Sequence, residues 1–204
     1  MRKKHLAILL SQLSPHPKPK LHWEAYTLDA ESAAEIAHIA GQVNDDICGK
    51  SVIDLGCGTG ILAISASLLG AGYVVGVDID REAVKVAKQN AEALGAMVEF
   101  AICDINSIIG HFETTIMNPP FGSWRRGADV MFLEKAIEIS DTTYSLHKRG
   151  DFNREFLRRK VSQLGGMVDR IYGLDISIPR TFDFHQRDRY PVEVDLYRIL
   201  KVKD

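Results

Sequence analysis

A short apolar run, Val52-Ile53-Asp54-Leu55, passes directly into Gly56-Cys57-Gly58-Thr59-Gly60 and then into a second apolar run from Ile61. A buried strand, a glycine turn and the first turn of a helix follow from that order. Glycines let the backbone reverse sharply and let a ligand lie against it. The spacing is G-x-G-x-G, whereas dinucleotide sites use G-x-G-x-x-G. The tighter turn suits an amino-acid moiety joined to a nucleoside better than a pyrophosphate.

The rest of the sequence continues the alternation. Strands are predicted at residues 51–55, 73–78, 97–103, 114–117, 168–174 and 192–200, with a partly extended stretch at 139–146. Helices are predicted at residues 2–13, 61–69, 82–94, 130–139 and 152–164, and a further one runs from Asp29, as N-cap, to about Val43. Strands alternating with helices give an α/β fold, a mostly parallel sheet with helices on both faces. The last two strands lack a crossover helix between them and should pair antiparallel. Residues 14–20, rich in proline, form an extended connector. The expected division is an N-terminal basic helix and connector over residues 1–28, contributing to the cleft, and a main domain over 29–204.

The 204 residues are 46% hydrophobic, enough for one full core. Residues 21–122 carry 4 Lys/Arg against 14 Asp/Glu, while residues 1–20 carry 5 Lys/Arg and no acid. Residues 123–190 carry 13 Lys/Arg against 10 Asp/Glu. An acidic centre with basic flanks permits a polyanion at the flanks. Cys48, Cys57 and Cys103 form no CxxC, and the seven His show no metal-ligand spacing, so no metal site is expected and a reducing, cytoplasmic setting is. The uncharged stretch 55–77 is broken by glycines and reads as strand–turn–helix–turn–strand, not a membrane span.

Three acids close three successive strands. Asp54 is placed either to cap the next helix or to receive an ammonium group. Asp78 is placed to accept two ribose hydroxyls. Asp104 is placed to accept an amine N–H from a purine, with Ile79 and Ile105 as apolar faces for the ring. Gly56, Gly58, Thr59 and Gly60 line the turn.

After the strand Thr114-Thr115-Ile116-Met117 comes Asn118-Pro119-Pro120-Phe121. The amide carbonyl of Asn118 can accept one N–H. The prolines lack an N–H and stay extended, which leaves the Pro119 carbonyl to accept another. Phe121 can stack on the ring that carries the amine, a contact worth roughly 1–3 kcal/mol per base. A planar NH2 fits this arrangement. The plain alternative is a proline-rich turn ending a strand.

With these motifs together, the sequence resembles the class I S-adenosylmethionine-dependent methyltransferases, in the amino-methylating branch. It is similar more narrowly to a small archaeal and eukaryotic family that methylates adenine N6 in small-subunit ribosomal RNA. Gly70-Ala71-Gly72, Val77-Asp78-Ile79-Asp80, Tyr144-Ser145-Leu146-His147-Lys148 and Val192-Glu193-Val194-Asp195-Leu196 carry the narrower likeness. The resemblance implies a Rossmann-like, seven-stranded sheet with a C-terminal antiparallel strand. It implies S-adenosylmethionine as cofactor, S-adenosylhomocysteine as product, and cofactor contacts from Gly56, Thr59, Asp78, Asp104, Ile105 and Asn118. Near its start the family shows Glu-Gln-Tyr-x-Thr; here the segment is Glu24-Ala25-Tyr26-Thr27-Leu28, so contacts fall to Tyr26 and Thr27. A small zinc-binding activator subunit that adds a strand to the sheet edge is the implied partner, beside RNA. RNA would approach over Arg125, Arg126, His147, Lys148, Arg149, Arg154, Arg158, Arg159, Lys160, Arg180, His185, Arg187 and Arg189, with Trp124 either stacking on a base or packing on the sheet. Alternative readings are a guanine-N2 RNA methyltransferase, a protein glutamine N5-methyltransferase, or a noncatalytic RNA-binding scaffold of the same fold.

Overall fold

Seven strands form one sheet in the order β3-β2-β1-β4-β5-β7-β6. The computed structural model describes residues 1–18, 28–120, 127–179 and 189–202. In sequence order the elements are α1 (Lys3–Leu10), α2 (Ala30–His38), β1 (Ser51–Leu55), α3 (Ile61–Leu68), β2 (Tyr73–Asp78), α4 (Arg81–Leu94), β3 (Glu99–Ile102), β4 (Phe112–Met117), α5 (Ala128–Ile139), β5 (Ser140–Lys148), α6 (Asp151–Gln163), β6 (Gly166–Pro179) and β7 (Arg189–Lys201).

The first five strands of that order are parallel, and β7 runs antiparallel to both β5 and β6. The prediction that the last two strands pair antiparallel holds, and both are longer than the sequence suggested. The partly extended stretch after α5 is a full nine-residue strand.

Strand alternation divides the core in two. Val52, Val74, Ile116, Tyr144 and Leu146 face α2 and α3; Ile53, Leu55, Met117 and Tyr197 face α5 and α6. Because β1 is covered on both faces, it reads as a nearly unbroken apolar run. Helix α1 is shorter than the predicted basic helix, and its Leu6 and Leu10 are buried in the first core cluster.

Caps fix the helix ends. Asp29 Oδ1 accepts the N–H groups of Glu31 and Ser32 at 2.9 and 3.0 Å, as an N-cap should. Its Oδ2 accepts the Ser177 N–H at 3.1 Å, which ties α2 to β6. Helix α2 runs on into a π-helical turn, Ile39–Val43. Helix α4 begins at Asp80, whose Oδ1 accepts the Glu82 N–H at 3.0 Å.

The backbone leaves β3 at one edge and re-enters beside β1 as β4. That reversal of strand order makes a crevice at the carboxyl ends of β1 and β4, where open α/β sheets bind ligands.

Candidate active site

Strand register places the candidate residues at one end of the sheet. Asp54 pairs with Ile116 across β1 and β4, so the turn that starts at Gly56 and the run that starts at Asn118 leave neighbouring strands at the same end of the sheet. Leu55 pairs with Val77 in β2, so Asp78 ends the strand on the other side of the turn. Met117 pairs with Ser145, so Asn118 leaves β4 alongside β5. The glycine turn is therefore flanked by an acid on one side and by the Asn-Pro-Pro run on the other.

The turn is pinned from below. The N–H groups of Gly56 and Cys57 both donate to the Val77 carbonyl at 2.9 Å. Gly60 has φ +88°, and a Cβ there would come within 2.9 Å of the Phe100 ring, so glycine permits both the turn and the packing of α3 onto the sheet. Gly58, at φ +53°, differs: a Cβ there would meet nothing within 4 Å. The loop is open where a ligand would lie.

Asp54 takes the capping role. Gly60 has no side chain to cap α3, and Asp54 Oδ2 accepts the Ala63 N–H at 3.0 Å in its place. Its Oδ1 is buried with no hydrogen-bond partner. Burial pushes the Asp54 carboxyl up to about 8, offset in part by the Ala63 N–H. A buried acceptor left unsatisfied is costly and asks for a donor.

Asp78 holds the turn as well. Its Oδ2 accepts the Gly58 N–H at 2.8 Å and its Oδ1 the Asp80 N–H at 2.8 Å. Burial raises its pKa, and these two bonds pull it back. Each oxygen retains a second lone pair, enough for the two hydroxyls of a diol. Ile79 is 54% exposed beside it, positioned to cover a flat ring. Asp104 is exposed and caps a 3-10 turn, Ile105–Ser107, by accepting the Asn106 N–H at 2.9 Å. That turn carries the Ile105 side chain down into the second core cluster. Of the two isoleucines, Ile79 offers a side-chain face and Ile105 offers its backbone.

Asn118 is half-buried, Pro119 buried and Pro120 half-buried, with no cis peptide among the described residues. Tyr26, Thr27 and Phe121 lie outside the described residues. Burial holds the Cys57 thiol well above its ordinary range, so the one cysteine in the turn is a thiol and not a thiolate. Among the described residues no three metal-ligating side chains gather, and no helix is long and apolar enough to cross a membrane.

Comparison with known proteins fits this geometry. A family model for ribosomal protein L11 methyltransferase (PrmA) matches residues 40–115. The rRNA N(6)-adenosine-methyltransferase METTL5 of Danio rerio is 34% identical over 97% of this chain and 98% of its own length. This chain belongs to the METTL5 family. An uncharacterized protein of Methanocaldococcus jannaschii is 39% identical over 99% of this chain and 95% of its own. A crystal structure of a candidate RNA methyltransferase from Pyrococcus horikoshii superposes with a TM-score of 0.91 at 40% identity, covering 100% of this chain and 99% of that one.

With the METTL5 family comes the enzyme class: the protein is an S-adenosylmethionine-dependent methyltransferase. The L11-methyltransferase match stops short of Asn118, so it covers the glycine turn and the three acids but not the Asn-Pro-Pro run.

Within this METTL5-family protein the structure sorts the basic residues. His147 is 3% exposed and shares a 2.8 Å hydrogen bond with Ser145 Oγ. Its ring meets that of Tyr197 edge-on at 5.4 Å, and burial lowers its pKa to about 4. Arg154 grips the fully buried Asp195 with two bonds, at 2.6 and 2.8 Å. Arg149 pairs with Glu193 and donates to the carbonyls of Leu174 and Val194. All three are engaged within the sheet corner. Arg158 and Arg159 are exposed and make no ion pair among the described residues. Trp124, Arg125, Arg126, Arg180, His185, Arg187 and the Arg189 side chain lie outside the described residues.

Sequence reasoning missed Asn90. It is 3% exposed on the apolar stripe of α4, among Ala83, Val84, Val86, Ala87 and Ala91. A lone amide on that stripe is the signal that could have found it.

Proposed function

We propose that this protein transfers a methyl group from S-adenosylmethionine to N6 of an adenosine in ribosomal RNA, with S-adenosylhomocysteine as product. The observation that supports the reading is the parallel pairing of β1 with β4, Asp54 opposite Ile116, so that the cofactor turn and the amine acceptors leave neighbouring strands at the same end of the sheet. The Danio rerio relative, named for this activity and matching nearly end to end, supports the acceptor.

The residues fit the cofactor. Asp54 Oδ1 is an orphaned buried acceptor suited to an ammonium group. Asp78 has lone pairs for the ribose hydroxyls, Gly58 leaves room for close approach, and Ile79 covers the ring. Thr59, Gly60 and the Ile105 backbone shape the rest. The bound cofactor supplies an electrophilic methyl carbon.

The protein's own work is positioning, which can contribute about 7–11 kcal/mol in well-oriented reactions. The amide carbonyl of Asn118 and the backbone carbonyl of Pro119 accept the two amine hydrogens. That draws the nitrogen lone pair out of ring conjugation and aims it along the sheet toward the turn. Pro120 keeps the run extended and Phe121 supports the ring. The adenosine must leave its stack to enter. The proton leaves the nitrogen after transfer, so no dedicated base is needed. The implied zinc-binding subunit has an edge to pair with, since β3 ends the sheet order. The enzyme would act in the cytoplasm, where ribosomal RNA is engaged.

The test is mass spectrometry of nucleosides from ribosomal RNA incubated with enzyme and isotopically labelled cofactor. Labelled N6-methyladenosine is expected. Labelled N2-methylguanosine, or label appearing only in protein glutamine, overturns the reading.

A further inference from the structure

Asn90 joins two segments far apart in sequence. Its Oδ1 accepts the Ser14 N–H at 2.8 Å. Its Nδ2 donates to the Ser14 carbonyl at 3.0 Å and to the Thr59 carbonyl at 3.0 Å. One buried amide thus binds the N-terminal connector on one side and the glycine turn on the other. Asn90 is almost fully buried, and its bond to Thr59 is shielded from competing water, while the two to Ser14 lie at the edge of the buried region.

A second fastening lies two residues along. His16 Nδ1 accepts the Lys18 N–H at 3.0 Å, so in the neutral ring the proton sits on Nε2. Nε2 lies 3.3 Å from Asp80 Oδ2, and both side chains are nearly buried. Asp80 caps α4, and its backbone N–H donates to Asp78 Oδ1. His16 therefore packs against the residue that orients the diol-binding acid, at ion-pair distance and not through a hydrogen bond from Nε2.

We infer that residues 14–16 are a strap belonging to the cofactor site, and that Asn90 is the positioning residue that couples the strap to the glycine turn. The inference rests on the cofactor reading given above. Ser14 is held to Thr59 through one amide group, so the turn adopts its ligand-ready shape with the strap in place. Thermodynamic linkage then works in both directions: strap docking strengthens cofactor binding, and bound cofactor holds the strap down. Prolines 15 and 17 suit the part, because a connector with few accessible conformations loses little entropy on docking.

The experiment measures S-adenosylmethionine binding by calorimetry for the full-length parent protein and for Asn90→Ala, Asn90→Asp and His16→Ala, well below each variant's Tm. Asn90→Ala should weaken binding by about tenfold, the scale of one or two net hydrogen bonds. Asn90→Asp keeps the acceptor for Ser14 but loses both donor bonds, and should weaken binding as well. His16 lies on the connector outside both core clusters, so His16→Ala reports even if Asn90 variants fold poorly. In steady state the KM for cofactor should rise while the KM for RNA moves less than about twofold. Limited proteolysis at the connector should slow when cofactor is added to the parent protein and slow less in Asn90→Ala. If the parent protein binds cofactor and folded Asn90→Ala and His16→Ala bind it equally well, the strap inference fails. If the parent protein binds no cofactor at all, the cofactor reading fails instead.

Discussion

Asp54 accepts the Ala63 N–H with one carboxylate oxygen and keeps the other buried without a partner. One residue thereby starts helix α3 and leaves an acceptor at the floor of the crevice. The same burial makes cofactor binding a proton-linked event. Burial sets the Asp54 pKa at about 8, against 3.8 ordinarily. A raised folded-state pKa contributes stability that is present below the unfolded value and is lost as pH rises through about 8. An ammonium group at Oδ1 favours the ionised form. Binding at neutral pH should therefore release a proton, and affinity should rise with pH up to about 8. Calorimetry in two buffers of different ionisation enthalpy reads the proton directly. Asp54→Asn should bind more weakly and show no buffer dependence.

The glycines of the turn should separate by mechanism. Gly60→Ala meets the Phe100 ring and a strained φ, and should cost about 1–3 kcal/mol of stability in denaturant unfolding. Gly58→Ala meets nothing in the protein and should cost only about 1 kcal/mol. Its Cβ enters the space assigned to the cofactor, so its cofactor affinity should fall by about tenfold or more.

His147 should set an acid limit. Its folded-state pKa of about 4 lies below the ordinary 6.5, because burial disfavours the charged ring. Its contribution is present above 6.5 and is lost as pH falls through about 4. Over all of that range the Asp54 contribution runs the opposite way, so the variant is the clean measurement. His147→Gln should flatten the loss of Tm between those two pH values relative to the parent protein.

Cation variants should sort as the structure sorts them. Arg158→Glu with Arg159→Glu should raise the KM for RNA and reduce its salt dependence, leaving Tm nearly unchanged. Arg154→Ala should lower Tm, because it removes the guanidinium from the buried Asp195. Thermal unfolding and RNA titration across a salt series check both.

Strand–turn–helix punctuation was legible wherever local chemistry decides. Strands β1 and β2 fall where the apolar runs end in Gly56 and Asp78, and Asp29 caps α2 through its own neighbours. What was not legible depends on partners distant in sequence. Arg149 and Arg154 look like Arg158 and Arg159 in sequence; only the return of β7 brings Asp195 beneath the first two. Ile105 looks like a ligand face until the turn capped by Asp104 carries it into the core. Leu6 and Leu10 sit in a basic stretch and show their role only once α2 lies against them.

The central claim is that two carbonyl oxygens at Asn118 and Pro119 grip an amine beside the cofactor turn. Single-turnover methylation of ribosomal RNA by Asn118→Ala, with cofactor affinity measured on the same sample, tests it most directly. The account predicts a fall in the methyl-transfer rate on the order of 100- to 1000-fold with cofactor affinity largely retained. Near-parental transfer by a folded Asn118→Ala that binds cofactor normally would contradict it.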